Sequence, residues 1–220
     1  MIDQLYIGNM ASYDDFHATV KERIDHKPKK KSIKETVPFS NVTYDFSAIN
    51  GEIYWEEKTI DYVFEIIAMT PELLEEKKTA FSAWVMNVMN EDLHDPFLLD
   101  YHFQGTFSDI SFQDEVEKTT ATVTFTAYPY MISNAKRVFQ YTLAAEEEIT
   151  ARILNNSSHR ITPTFVCDVP VTVSKENHTI SISAGETALD SFKLPVGASD
   201  LKIQASTAGI LKIEFYEEVF

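Results

Sequence analysis

Cysteine is almost absent from this chain: Cys167 is the only one. No intrachain disulfide can form, and a zinc site would have to be built from histidine and carboxylate ligands. Tryptophan is scarce, with two residues against ten tyrosines and fifteen phenylalanines. Aromatics of that kind lean towards strands, where rings suit a half-buried pleated face. No apolar run approaches the roughly 18 residues that cross a bilayer as a helix. Met1 to Gly8 shows no basic-then-apolar leader, so a protein made and folded in a cytoplasm is expected. Positive charge is also short: nineteen Lys and Arg face thirty-four Asp and Glu, for a net −15. A body this acidic repels phosphate backbones, which argues against sequence-specific nucleic-acid binding.

Catalytic signatures are missing as well. There is no G-x-S-x-G elbow, phosphate loop, dinucleotide fingerprint or H-E-x-x-H helix. His94 and His102, with Asp92, Asp95 and Asp100, form the densest metal-like cluster. Their spacing across an Asp-Pro turn defines no tetrahedral set, and turn and strand polars explain them. Glu146-Glu147-Glu148 and Glu217-Glu218 read as solvated charge, since acid–base work needs two carboxyls in different environments facing one pocket. Cys167 has no nearby histidine to activate it and reads as a small buried thiol. The expectation is no enzyme, no cofactor and no metal.

What is present is a folded chain of 220 residues, 44% hydrophobic, long enough for one large or two small domains. The positive charge is concentrated. Lys21 to Thr36 holds seven basic and three acidic residues, a balance of +4, which leaves −19 on the rest of the −15 chain. Ser12 to Glu35, with its Lys29-Lys30-Lys31 run, lacks periodicity and reads as a long loop or arm. Val42, Tyr44, Phe46 and Ala48 then alternate with polar residues, as do Ile60, Tyr62, Phe64 and Ile66 within Lys58 to Met69. These predict an antiparallel pair joined past Asn50-Gly51.

The period then changes. Thr70 as N-cap and Pro71 at the first helical position predict a helix to about Met89. Leu74, Phe81, Trp84, Val85 and Val88 form its core stripe. Beyond Asp95-Pro96, Phe97–Phe103 and Thr106–Phe112 read as strands about a Gln104-Gly105 turn. Ala121, Val123, Phe125 and Ala127 alternate with threonines up to Tyr128-Pro129-Tyr130, where a proline that cannot donate stops a central strand. This is an α+β first domain, residues 1–133.

After Asn134-Ala135-Lys136 no helical period recurs. Short strand candidates (Val138–Leu143, Ile149–Leu154, Ile161–Cys167, Val169–Val173, Thr179–Ser183, Leu189–Leu194, Leu201–Gln204 and Ile210–Tyr216) alternate with turn clusters. They predict a small β-sandwich over residues 134–220, so the chain as a whole is mainly β. A sugar site at Asn155, Asn156, His159 and Arg160 is weighed against a plain polar turn. Tryptophan, the usual platform for sugar rings, is absent beyond Tyr141.

This order of parts resembles the distal tail protein (Dit) family of long, non-contractile-tailed phages. The resemblance rests on the helix opening Thr70-Pro71-Glu72, the element Thr124-Phe125-Thr126-Ala127-Tyr128-Pro129-Tyr130, Leu194-Pro195-Val196-Gly197 and the final Ile213-Glu214-Phe215-Tyr216. It covers about Val42 to Phe220. The arm departs from it, since the Gly-rich, Arg-Asp-Gly-like segment common in the family is replaced by Lys29-Lys30-Lys31 to Thr36. The resemblance implies a structural subunit of a phage or prophage-derived tail tip in the virion. Six first domains would form a ring continuing the tail tube, and the second domain would be galectin-like, of jelly-roll type. The implied partners are the chain itself, the tail tube protein, the tail-associated lysin or fibre hub, and receptor-binding proteins. Lys29, Lys30 and Lys31 become candidate subunit contacts. The alternative function is a carbohydrate-binding accessory protein that recognises a bacterial surface.

Overall fold

The computed structural model describes residues 3–36, 39, 41–48, 51–176 and 178–220. It is mainly β, and the chain divides into two compact units between Met131 and Ile132. In chain order, the first unit contains β1 (Tyr6–Ile7), β2 (Met10–Ala11), β3 (Ala18–Asp25), β4 (Lys34–Thr36), β5 (Thr43–Asp45), β6 (Lys58–Ile67), the helix α1 (Pro71–Met86), β7 (Glu91–His94), β8 (Tyr101–Asp114) and β9 (Lys118–Ala127). β10 (Met131–Ser133) follows. The second unit continues with β11 (Arg137–Leu143), β12 (Glu148–Asn155), β13 (Thr164–Cys167), β14 (Val171–Lys175), β15 (His178–Ile182), β16 (Gly185–Ala188), β17 (Gly197–Ala205), β18 (Gly209–Phe215) and β19 (Glu218–Val219).

The first unit is an antiparallel sheet in the order β2-β1-β7-β8-β9-β6-β3, with α1 packed on one face. β6 and β9 pair along their whole length, from Lys58↔Ala127 to Ile67↔Lys118. Their inward residues, Ile60, Tyr62, Phe64 and Ile66 against Ala121, Val123, Phe125 and Ala127, are all buried. The helix begins as its sequence dictates: the Thr70 hydroxyl accepts from Leu73 N at 3.3 Å, and Pro71 opens the first turn. Leu74, Phe81, Trp84 and Val85 go into the core. Phe81 meets Phe64 edge to face at 4.9 Å, and Trp84 stacks on Phe16 at 4.7 Å. Val88 is buried too, but beyond the helix. Asn87 turns its N–H onto Trp84 O and its side-chain amide onto Ala83 O, which ends the helix three residues before the predicted Met89.

Several expectations are corrected. Part of the predicted loop Ser12–Glu35 is β3, an edge strand paired with β6. Its signal is broken by a bulge between Val20 and Glu22, which resets the phase so that Arg23 and Asp25 take the inward positions that Ala18 and Val20 hold before it. Val42–Ala48 does not pair with Lys58–Met69: Thr43–Asp45 pairs with Lys34–Thr36, and both strands are exposed. Asn50 of the expected turn lies outside the described residues. Gln104-Gly105 is no turn, because β8 runs through it. Gly105 sits between Glu91 and Ala127, where a Cβ would come within 3.1 Å of Leu93 Cδ1. Phe97–Asp100 precede the strand rather than belonging to it.

The second unit is a sandwich of two four-stranded sheets, β11-β18-β13-β16 and β12-β17-β14-β15. One core holds the inward residues of both, including Ile153, Ile203, Val173, Phe165 and Ile213. Leu189–Leu194 is not a strand. Phe192 N returns to Leu189 O, and Phe192 and Leu194 plug the core from a loop, while Gly185–Ala188 supplies the edge strand instead.

Candidate functional site

The bulge in β3 aims two charged side chains at the core of the first unit. Arg23 Nη1 donates to both oxygens of Asp95, at 3.2 and 2.9 Å, and Tyr62 Oη donates to Asp95 Oδ2 at 2.7 Å. Phe97 N adds a third donor and a fourth bond at 2.9 Å. Lys58, wholly buried, lies 2.9 Å from Asp25 Oδ1 as an ion pair rather than an aligned hydrogen bond. Arg23 and Lys58 both stand over the Phe103 ring, at 5.3 and 4.5 Å.

Burial pulls the Lys58 ammonium below its ordinary value, and Asp25 only partly offsets this. Burial acts on the Asp25 carboxyl in the raising direction. Its contacts with Lys58 and Lys27 outweigh that and hold it below its ordinary value. Burial, reinforced by Asp95, raises the Tyr62 phenol well above its own. With Lys58 shut off from solvent and Asp95 accepting four hydrogen bonds from three donors, the arrangement has no room for a substrate. It ties β3, β6 and the Asp95 turn together.

From this base the chain runs out as a ribbon. His26 N donates to Thr59 O, Glu56 N to Lys29 O, and Lys31 N to Tyr54 O, with a bridge between Lys30 and Trp55. β4 and β5 continue it. Lys29, Lys30 and Lys31 are exposed along it. So are Ile33, Val42, Tyr44, Phe46, Ile53 and Tyr54, none of which joins either core cluster. A two-stranded ribbon is marginal in water by itself, and exposed apolar side chains gathered on one element mark an interaction surface.

The remaining candidates separate clearly. His94 and His102 lie 4.7 Å apart, and His102 is 3.5 Å from Asp92, but Asp95 is drawn away to Arg23. No group of three or more His, Cys, Asp or Glu suited to a metal occurs among the described residues. Cys167 is buried, its Sγ 3.3 Å from Ser183 O, and burial pushes its thiol up. Asn155, weighed above for sugar binding, is buried and donates to His159 O, Leu194 O and Pro195 O. Asn156 binds Glu217, which also pairs with Arg137, and His159 contacts Glu218. Asn156, Arg137 and His159 thus hold the C-terminal segment to the sandwich, while Asn155 ties its turn to Leu194 and Pro195.

Tyr128 directly follows β9: its N–H reaches Gln104 O at 2.8 Å and its ring lies 5.5 Å from that of Tyr130. Pro129 and Tyr130 are buried, one residue short of the division between the units.

No protein-family model matches the sequence, and no curated protein sequence matches it. Solved structures do. The crystal structure of the SPP1 Dit (gp 19.1) protein, a paradigm of the hub adsorption apparatus in phages infecting Gram-positive bacteria, is similar with a TM-score of 0.71 at 8% identity, covering 100% of both chains. Chains of the phage P2 baseplate in its activated conformation, with Ca and with Sr, align over 97% and 98% of this chain and 98% of theirs. Both are 8% identical, and their TM-scores of 0.40 and 0.43 add no weight. Over its full length, this chain has a Dit-like distal tail protein fold.

Proposed function

We propose that the chain is a non-enzymatic structural subunit of a phage or prophage-derived tail tip, made in the host cytoplasm and carried in the virion tail. The observation behind this reading is the full-length likeness to a hub protein, which covers 100% of each chain. In this reading six copies close a ring through residues 1–133, and residues 134–220 are presented to other baseplate proteins. Tyr128, Pro129 and Tyr130 form the joint. The partners are the tail tube protein, the tail-associated lysin or fibre hub, and receptor-binding proteins.

Charge supports a role for the arm. Each copy brings −15, so ring contacts must separate like charges or pair them. Lys29, Lys30 and Lys31 sit on an exposed ribbon beside uncovered Tyr44 and Ile53, and an acidic surface of the neighbouring copy complements them. The sheet face opposite α1 suits a lumen. It carries Thr120, Thr122, Thr124 and Thr126 with Asp61, Glu65 and Asp109, and its Lys21 and Lys118 are drawn onto Glu65. DNA slides past such a face without sticking.

Light scattering on the purified protein tests the ring. A particle of six times the 25.1 kDa chain mass is expected, and a monomer at every concentration overturns it. Replacing Lys29, Lys30 and Lys31 with Glu tests the arm: the particle should fall apart at physiological salt. If it stays whole, the pairing fails while the ring stands.

A further inference from the structure

The second unit carries a depression of about 370 Å³ at one end of the β12-β17-β14-β15 sheet. Register explains its polar lining. Gln204 pairs with Thr172, and Thr172 with Ser181, so a row of polar side chains lines it across three strands; on the fourth, Glu148 pairs with Gln204 beside the depression and is tied to Lys202 at 2.9 Å. Glu148, Gln204 and Ser181 are exposed and Thr172 half-buried, while the alternate residues Val171, Ile182 and Ala205 face the core. Strands lie about 4.8 Å apart, so each step offers another hydrogen-bonding group. Ser183 and Ser206 extend the rim, and the exposed Pro170 ring adds one apolar patch.

Most of this capacity is unspent. Among the described residues the hydroxyls of Thr172, Ser181, Ser183 and Ser206 and the carboxylate of Glu146 make no hydrogen bond or ion pair, and Gln204 makes a single long bond, 3.4 Å, to Glu146 O. The contrast with Asn155 and Asn156, whose amides are committed to the protein, is sharp. Glu146 is held at the rim in left-handed backbone, φ 62°, by its N–H on Ala205 O at 2.9 Å. A glutamate in that region is uncommon.

We propose that this depression binds a neutral, hydroxyl-rich saccharide. Side-chain hydroxyls and an amide, each able to donate and accept, match the vicinal hydroxyls of a sugar. Pro170 offers a seat for the C–H face of the ring. The unpaired Glu146 and the acidic chain oppose phosphate polymers, and the mostly polar lining of the depression offers a peptide side chain no deep apolar anchor. Lacking an aromatic platform, a single site binds weakly, with a Kd on the order of millimolar. The proposal concerns the second unit and does not depend on the ring.

The test is an array of neutral and anionic glycans, read with the labelled full chain and with the double variant Ser181→Val/Gln204→Leu, whose positions are exposed and outside the core. Binding to a subset of neutral glycans, competed by the free sugar and weakened about ten-fold or more in the variant, is expected. If thermal melting shows the double variant misfolded, Thr172→Val replaces it, with the same loss expected. Binding to no neutral glycan, binding confined to anionic polymers, or equal binding by the folded variant overturns the proposal. None of these results bears on particle mass, so this site and the ring fail separately.

Discussion

Arg23 grips both carboxylate oxygens of Asp95, a residue 72 positions further along the chain. Asp95 is wholly buried, whereas Arg23 keeps about a fifth of its side chain in solvent. The pair therefore has an unequal cost of disruption. Arg23→Met leaves a buried carboxylate with only Tyr62 and Phe97 as donors and should cost about 3–5 kcal/mol. Arg23→Met/Asp95→Asn should recover part of that loss. Urea unfolding followed by tryptophan fluorescence measures both, and equal midpoints for parent and Arg23→Met would remove the pair from the stability of the first unit.

Acid should weaken the first unit partly through Asp25. Its folded value lies below the ordinary 3.8, so as pH falls the unfolded chain takes up the proton first, and stability is lost from 3.8 down through the folded value. Asp25→Asn should be less stable than the parent by about 1.5–3 kcal/mol at neutral pH, and the difference should narrow below pH 3.8. Lys58 acts in a different window. Its folded value lies below 10.5, so it contributes stability above 10.5 that is lost as pH falls through the folded value, and its charge is a net cost at neutral pH. A gap between Asp25→Asn and parent that stays constant through the acid range would contradict the assignment.

Two glycines stand where backbone or packed side chains approach closely. Gly105→Ala meets Leu93 Cδ1 at 3.1 Å and Thr126 O at 3.3 Å, and about 1–3 kcal/mol of destabilisation is expected. Gly209→Ala places its Cβ on Asp168 Oδ1 and Val169 Cγ2 and should cost at least as much, with the loss confined to the second unit. Thermal melts compared by calorimetry separate the two.

The helix cap is modest. Thr70 accepts from Leu73 N at a long 3.3 Å, so Thr70→Ala should lower stability by about 0.5–1 kcal/mol. A loss well above this would mean that Thr70 does more than cap.

On the arm, Tyr44→Ser/Ile53→Ser removes exposed apolar surface that packs in neither core. The unfolding midpoint of the isolated chain should move by no more than about 0.5 kcal/mol, while the particle mass in solution should drop. A large stability loss with intact particles would reverse the roles given to these residues.

Legibility in the sequence followed the reach of each signal. The start of α1 was readable because Thr70, Pro71 and Leu74 act through contacts within one or two turns. β9 was readable because threonines alternate with apolar residues without interruption. β3 was not, because its phase breaks at the bulge and its inward residues after that are Arg23 and Asp25, which alternate like a solvated loop. Gly105 misled because glycine serves both a turn and a close approach in mid-strand. At the arm, the lysine run was visible, but the alternation of Val42, Tyr44 and Phe46 looked like a strand with one covered face. An alternating pattern says that two faces differ, not that something covers one of them.

The fold class, the start of the helix with its core residues Leu74, Phe81, Trp84 and Val85, and the lone buried thiol were determined by the sequence alone, because each depends on neighbours a few residues away. The tertiary structure decided where charge and polarity are used. It committed Asp95 to Arg23 rather than to the histidines, Asn155 to the carbonyls of His159, Leu194 and Pro195, and Asn156 to Glu217 of the C-terminal segment. It lined up Glu148, Gln204, Thr172 and Ser181 from four separate strands. Pairing of that kind is set by register between distant segments, and register is fixed only when the two sheets close over a shared core.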